Sequence, residues 1–248
     1  MRNLAIIGFG RFGQLLYRYF KQKLPLGIID PYQAVKKKYR QVPFITPDAL
    51  TSFEYVILAT PVSAVNTVSE EIAPFLSDGT VVMDVGAVKT YPLRILQQRL
   101  PEHVHIVGSH PLFGPDSAAH GLQGHTLILT PSRIAPPALH RVRQFWQTQG
   151  VEIVELTAHE QDRLMAWTLA LTHFLGRALV QLPLPDTPIA TRDYKFLTNL
   201  VRKINRDTME LFLDMHRYNP YTQEMRTALA EAIEGLKNQL DHLQKEIE

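Results

Sequence analysis

The chain opens with a short apolar run, Leu4-Ala5-Ile6-Ile7, that ends on Gly8-Phe9-Gly10-Arg11-Phe12-Gly13. Few local patterns restrict a fold so tightly. Gly8 allows a tight turn out of a strand, Gly10 lets backbone approach a diphosphate, and Gly13 lets the following helix pack close to the strand. The free N–H groups opening that helix then face the phosphates. Glycines at this spacing also mark plain turns, so context decides. Asp30 supplies it: it closes the second apolar run, 22 residues after Gly8, near the interval of about 20 expected of a dinucleotide site. A carboxylate there accepts hydrogen bonds from ribose hydroxyls and repels a 2′-phosphate. The motif therefore implies NAD rather than NADP, with Gly8, Phe9, Gly10, Arg11, Phe12, Gly13 and Asp30 as cofactor-binding residues. Lys36, Lys37 and Lys38 follow shortly and read as a solvated helix face.

The first half repeats the alternation that this motif needs. Leu4–Ile7, Leu26–Ile29, Tyr55–Ala59, Val81–Val85 and His105–Gly108 read as short buried strands bounded by Gly, Pro or Asp. Helices fit Phe12–Gln22, Val62–Phe75 and Tyr91–Arg99. Two more strands, Thr126–Leu129 and Val151–Val154, flank a helix near Ala138–Gln149. The fold class is α/β: a Rossmann-type, doubly wound, mostly parallel sheet. Beyond Thr157 no strand pattern recurs. His159–Gln181 and Phe196–His216 have helical apolar spacing, joined through the Pro-rich Leu182–Pro188. From Thr222 onward Met225, Leu229, Ile233, Leu236, Leu240, Leu243 and Ile247 form a heptad-like stripe. Such a stripe fits a helix lying on its own domain or, as its length favours, one packed across a homodimer interface. The expected division is a dinucleotide-binding domain over 1–156 and an all-helical substrate and dimerisation domain over 157–248.

Composition serves mainly to exclude. There is no cysteine, hence no disulfide, thiolate nucleophile or Cys-ligated metal, and no metal is expected. Lys and Arg number 26 against 24 Asp and Glu, and no basic stripe with interleaved aromatics occurs, which argues against nucleic acid as a partner. No run approaches the roughly 20 apolar residues of a membrane span. The opening apolar run is too short for a signal-peptide core. The expectation is a cytoplasmic protein whose fold begins at residue 1 and whose partner is a small-molecule substrate.

In a doubly wound sheet ligands lie beyond the carboxyl ends of the strands. That places Thr60 and Pro61, after the Tyr55–Ala59 strand, and Val85, in Asp84-Val85-Gly86-Ala87-Val88-Lys89, along the same crevice. The strand at His105 delivers Gly108-Ser109-His110-Pro111-Leu112-Phe113-Gly114-Pro115. A histidine just past a strand, on a Pro-stiffened loop beside a nicotinamide, is a candidate acid/base.

These segments together resemble the prephenate/arogenate dehydrogenase family. Gly108–Pro115 is similar to its G-x-H-P-M-F-G-P motif, and Asp84–Lys89 to its D-x-x-S-V-K segment. His159-Glu160-Gln161-Asp162-Arg163 with Thr172-His173-Phe174-Leu175-Gly176-Arg177 resembles its first helical segment. Tyr194–Val201 and Met215–Asn219 look most like the arogenate-type branch. The resemblance implies NAD(P)-dependent oxidative decarboxylation of a cyclohexadienol, arogenate giving tyrosine or prephenate giving 4-hydroxyphenylpyruvate. It implies His110 as the catalytic group on the substrate hydroxyl, with His173 near the substrate. The family serine of D-x-x-S-V-K is Ala87 here, which leaves Ser109 or water to replace an orienting hydroxyl. Where prephenate-using members carry T-R, this chain has Thr198-Asn199, which favours arogenate. Arg202 and Arg206, on successive turns after Asn199, are candidates for a substrate carboxylate, and Asp116 for an ammonium group. Two other readings compete. A β-hydroxyacid-type dehydrogenase relies on a lysine in the first interdomain helix, and His159–Gln181 contains none. A non-catalytic dinucleotide sensor is suggested by Ala87.

Overall fold

A computed structural model describes residues 1–245. It divides into two compact units, Met1–Gln161 and a unit beginning at Asp162. The expected division fell five residues earlier. The start of helix α6 (Ala158–Met165) belongs to the first unit because Gln161, wholly buried, accepts a hydrogen bond from the Thr130 hydroxyl (3.2 Å) and donates to the Ala87 carbonyl (3.3 Å).

In the first unit the described strands are β1 (Leu4–Ile7), β2 (Leu26–Ile29), β3 (Tyr55–Leu58), β4 (Val81–Asp84), β5 (His105–Pro111), β6 (Thr126–Pro131) and β7 (Glu152–Glu155). They form one sheet in the order β2-β1-β3-β4-β5-β6-β7. Every pair is parallel except β5–β6. A single parallel bridge, Ile28 to Phe44, occupies the place of a further strand beside β2. The helices between the strands are α1 (Arg11–Phe20), α2 (Gln33–Lys38), α3 (Val65–Ile72), α4 (Thr90–Arg99) and α5 (Pro136–Gln147). The central strands are apolar on both faces, as a sheet covered on both sides requires. Leu4, Ile6, Ile57, Met83 and Val107 share one core with Leu15, Leu16, Phe20, Val142 and Trp146 of α1 and α5. Ala5, Ile7, Val56, Leu58, Val82 and Ile106 share the other with Val65, Ile72, Leu93 and Leu96 of α3 and α4. Among the described residues no helix is long and apolar enough to cross a membrane.

β5 corrects the sequence reading. It does not end at Gly108 but continues through Pro111, so His110 lies in the strand and not after it. The extension comes from antiparallel pairing with β6, His110 opposite Ile128 and Pro111 opposite Leu127.

The second unit is helical: the rest of α6, a π-turn segment (Ala166–Ala170), α7 (Leu171–Leu179), α8 (Arg192–Ile204), α9 (Met209–Tyr218) and α10 (Thr222–Lys245). The helical segment expected over Phe196–His216 consists of two helices, separated at Asn205–Thr208. Thr208 caps α9 by accepting the Leu211 N–H, and the Asn205 amide donates to the Gly176 carbonyl (3.0 Å). α7 and α8 touch at Gly176, where an added Cβ would lie 3.0 Å from Ile204. Along α10 the stripe is buried only at its start: Met225 is enclosed, whereas Ile233, Leu236, Leu240 and Leu243 are more than half exposed. Ile247 lies outside the described residues.

Candidate active site

The parallel register sets the site. Ile7, Leu58, Asp84 and Gly108 stand side by side on β1, β3, β4 and β5. The residues just beyond them form a row along the carboxyl edge of the sheet: the glycine turn, Thr60, the Val85–Ala87 turn, and Ser109-His110.

The glycine turn is built as its spacing predicts. Gly8 has φ +98°, and a Cβ there would meet the Ala59 carbonyl oxygen at 2.5 Å. A Cβ on Gly13 would lie 2.0 Å from the Gly8 carbonyl oxygen. Gly10, the cap of α1, has nothing within 4 Å of that position and no side-chain cap hydrogen bond. No acidic residue occupies the first turn of α1. The space beside Gly10, at the N-terminus of α1, is therefore open, as an anion cradle requires.

Asp30 is buried at the end of β2. One carboxylate oxygen accepts the Phe9 N–H (2.8 Å) and the other the Tyr32 N–H (2.9 Å). It braces the turn before any ribose arrives, and a carboxylate retains further lone pairs for hydroxyl donors. Thr60 packs against Gly8 through its methyl, and its buried hydroxyl has no partner. Pro61 is exposed and Val85 half-buried. Arg11 pairs with Asp116 (3.0 and 3.1 Å) in a half-exposed contact, while Phe12 stacks at a tilt on Phe113. The open cradle at Gly10 and the unpartnered Thr60 hydroxyl fit a dinucleotide.

His110 and Ser109 are adjacent on β5. Successive strand residues face opposite sides of a sheet. The Ser109 hydroxyl is buried and donates to the Asp84 backbone carbonyl (2.8 Å). The Ser109 proton is thus committed to the Asp84 carbonyl. His110 is 7% exposed, and its Nδ1 has no hydrogen-bond partner. Burial, with the Lys89 ammonium adding to it, pushes the imidazole from near 6.5 down to about 3. It is neutral at every physiological pH, the state in which it can accept a proton.

The sequence reading gave no role to Lys89 or Gln161. Lys89 is fully buried and ion-paired with the equally buried Asp84. A charged residue on the heels of Val88 reads as surface, and only the acid five positions earlier hinted at a partner.

In the helical unit, His173 is buried with its Nε2 3.8 Å from the Asp207 carboxylate and its Nδ1 unpartnered. Burial lowers it below its usual value, against the opposing pull of Asp207. Asn199 is exposed and accepts from Arg202 (3.2 Å), and Arg206 is exposed. Asn199 and Arg202 line a groove of about 460 Å³ between α8 and the 180–190 segment, together with Tyr194 and Lys195.

A doubly wound sheet with this turn, acid and edge histidine defines a dinucleotide-binding oxidoreductase. A family model described as prephenate dehydrogenase, nucleotide-binding domain, matches residues 13–155, and the chain belongs to that family. A second model, TYRAAT1-like, C-terminal domain, matches residues 178–248. Among relatives, arogenate dehydrogenase 2, chloroplastic, of Arabidopsis thaliana is 28% identical over 96% of this chain and 70% of its own length. Cyclohexadienyl dehydrogenase of Zymomonas mobilis is 31% identical over 72% of this chain and 66% of its own. A crystal structure of prephenate dehydrogenase from A. aeolicus, in complex with hydroxyphenyl propionate and NAD+, shares the fold: TM-score 0.73, 22% identity, 99% of this chain and 90% of that one.

Proposed function

We propose that the chain oxidatively decarboxylates a cyclohexadienol, arogenate before prephenate, with NAD preferred over NADP. The observation that carries this reading is a buried imidazole, His110, with an unpartnered Nδ1, on the same sheet edge as an open glycine cradle. In the proposed complex Gly8, Phe9, Gly10, Arg11, Phe12 and Gly13 hold the diphosphate, Asp30 the adenosine ribose, and Thr60, Pro61 and Val85 line the nicotinamide end. The bound nicotinamide supplies the hydride acceptor.

His110 accepts the proton of the C4 hydroxyl as hydride leaves C4, so that the C–O bond becomes a carbonyl. When the ring carboxylate departs as carbon dioxide, its electron pair passes through the ring to that oxygen, and the ring becomes aromatic. His110 returns its proton to the phenolate oxygen, and no net proton is lost. General-base help of this kind contributes about 10²–10⁴-fold. Ser109 serves by fixing β5 to β4. On the family resemblance, His173, Asn199, Arg202 and Arg206 are assigned to the substrate from the helical unit and Asp116 to an ammonium group. Asn199 in place of an arginine is what favours arogenate.

The proposal includes a cytoplasmic homodimer. The support is the row Ile233, Leu236, Leu240 and Leu243, more than half exposed along one stripe of α10, which a second copy would cover. Light scattering at micromolar concentration tests it, and a monomer rejects it. The activity is tested by following reduced nicotinamide with arogenate and prephenate, each crossed against NAD and NADP. Turnover fastest with arogenate and NAD is expected; no reduction with either substrate rejects the reading.

A further inference from the structure

The pair Asp84–Lys89 is the fully buried ion pair among the described residues of the sheet edge. Lys89 is 0% and Asp84 2% exposed. Lys and Asp are almost never buried so completely unless paired, and a buried pair contributes little net stability compared with apolar residues of the same size. The fold nevertheless makes room for it. A Cβ on Gly108 would lie 2.8 Å from the Lys89 Cδ and 3.1 Å from Leu93, so the lysine stem runs beneath β5 only because residue 108 lacks a side chain. Gly108 is two residues before His110.

Asp84 then joins the elements around that lysine. One carboxylate oxygen receives the Lys89 ammonium and the other the Gly86 N–H (3.0 Å), while its backbone carbonyl receives the Ser109 hydroxyl. Lys89 also donates to the Val88 carbonyl (3.1 Å). Asp84 and Lys89 thus tie β4 and the 85–88 turn to β5 at Gly108 and Ser109, two residues and one residue before the histidine.

We propose that Lys89 is a positioning residue. Its ammonium, anchored on Asp84, and its stem, threaded under Gly108, fix the strand that carries His110. The inference rests on the assignment of His110 as the base in the proposed reaction. The charged group that acts on His110 is Lys89, from the turn before α4, and β6 opposite carries no ionisable side chain. The effect of Lys89 on His110 adds to that of burial.

The test uses the full chain and two variants, Lys89→Met and the near-isosteric, charge-free double variant Asp84→Asn with Lys89→Met. The ring proton signal of His110, identified by its loss in His110→Asn, is titrated by NMR without ligands, and kcat/KM is measured against pH. In the wild type the ring signal stays flat from pH 8 to pH 5. In both variants the ring signal titrates between pH 8 and pH 5, because a loosened strand lets water reach the imidazole and relieves the burial that lowers it. An acid limb of kcat/KM, absent from the wild type in that range, appears with it, while KM for the nicotinamide cofactor holds. A folded variant whose His110 signal stays flat from pH 8 to pH 5 and which gains no acid limb overturns the proposal. Failure of both variants to fold also overturns it, by assigning Lys89 to the fold alone. Because the titration needs no substrate, it stands even if the wild type turns over no cyclohexadienol, which would reject the functional reading separately.

Discussion

Gly10 and Gly13 stand three residues apart in one turn, yet the structure gives them opposite duties. An alanine methyl at 13 would sit 2.0 Å from the Gly8 carbonyl oxygen, a separation that no side-chain rotation relieves because the obstacle is backbone. Either α1 moves away from β1 or the turn opens. Overpacking of this kind costs about 1–3 kcal/mol or more, which for a unit of this size lowers the melting temperature by roughly 2–12 °C. An alanine methyl at 10 meets nothing within 4 Å. Gly10 is a helix cap with extended backbone, φ −66° and ψ −170°, which alanine adopts without strain, so Gly10→Ala leaves the melting temperature within about 2 °C.

The open space at Gly10 is where a diphosphate must approach. A methyl there holds the phosphate off the helix amides, and a charge-assisted hydrogen bond is worth about 1.5–3 kcal/mol. Loss of one such bond weakens binding by roughly 10- to 100-fold. Thermal unfolding without ligand and NAD titration by calorimetry on the two variants separate the effects. Gly13→Ala loses stability first; Gly10→Ala keeps stability and loses affinity. Equal destabilisation of both, or NAD affinity unchanged in Gly10→Ala, refutes the cradle.

Other outcomes follow from single groups. His110→Asn lowers kcat by about 10²–10⁴-fold with little change in substrate KM, read by steady-state kinetics; an unchanged kcat removes His110 as the base. Because the folded value of His110 is about 3, wild-type kcat/KM lacks an acid limb from this group above about pH 4, and a limb near 6.5 that vanishes in His110→Asn contradicts the burial argument. His110 and His216, the latter lowered to about 4 by burial, Arg226 and His173, both bind protons more readily when unfolded. Their contribution to stability is present above pH 6.5 and is lost as pH falls toward their folded values. Urea midpoints should therefore drop between pH 6.5 and 4, and less steeply in His216→Asn. Asp30→Ala removes acceptors from the Phe9 and Tyr32 amides as well as from the ribose. NAD affinity then falls and the preference over NADP narrows, measured as the ratio of kcat/KM for the two cofactors.

What the sequence disclosed follows the range of the interactions involved. The glycine turn, its strand and Asp30 were legible because each requirement, a positive φ at Gly8 or contact at Gly13, acts within about a turn of chain or between adjacent strands of one βαβ unit. The break between α8 and α9 was also locally written, in Asn205-Arg206-Asp207-Thr208, a polar cluster ending in a helix cap, although the apolar spacing on either side masked it. The seat of His110 was not local. Its strand continues past Gly108 only because β6, whose pairing residue Ile128 is 18 positions further on, runs back along it. That pairing buries the imidazole and sets its charge state. Lys89 was hidden for a related reason. A lysine in sequence reads as surface, and the facts that reverse this are a partner on β4 and an absent Cβ on β5, joined only when the sheet forms. The same long-range packing that defeats a local reading makes the site usable: a base that must stay neutral is most dependably kept so by apolar neighbours and a fixed positive charge that no loop motion can withdraw.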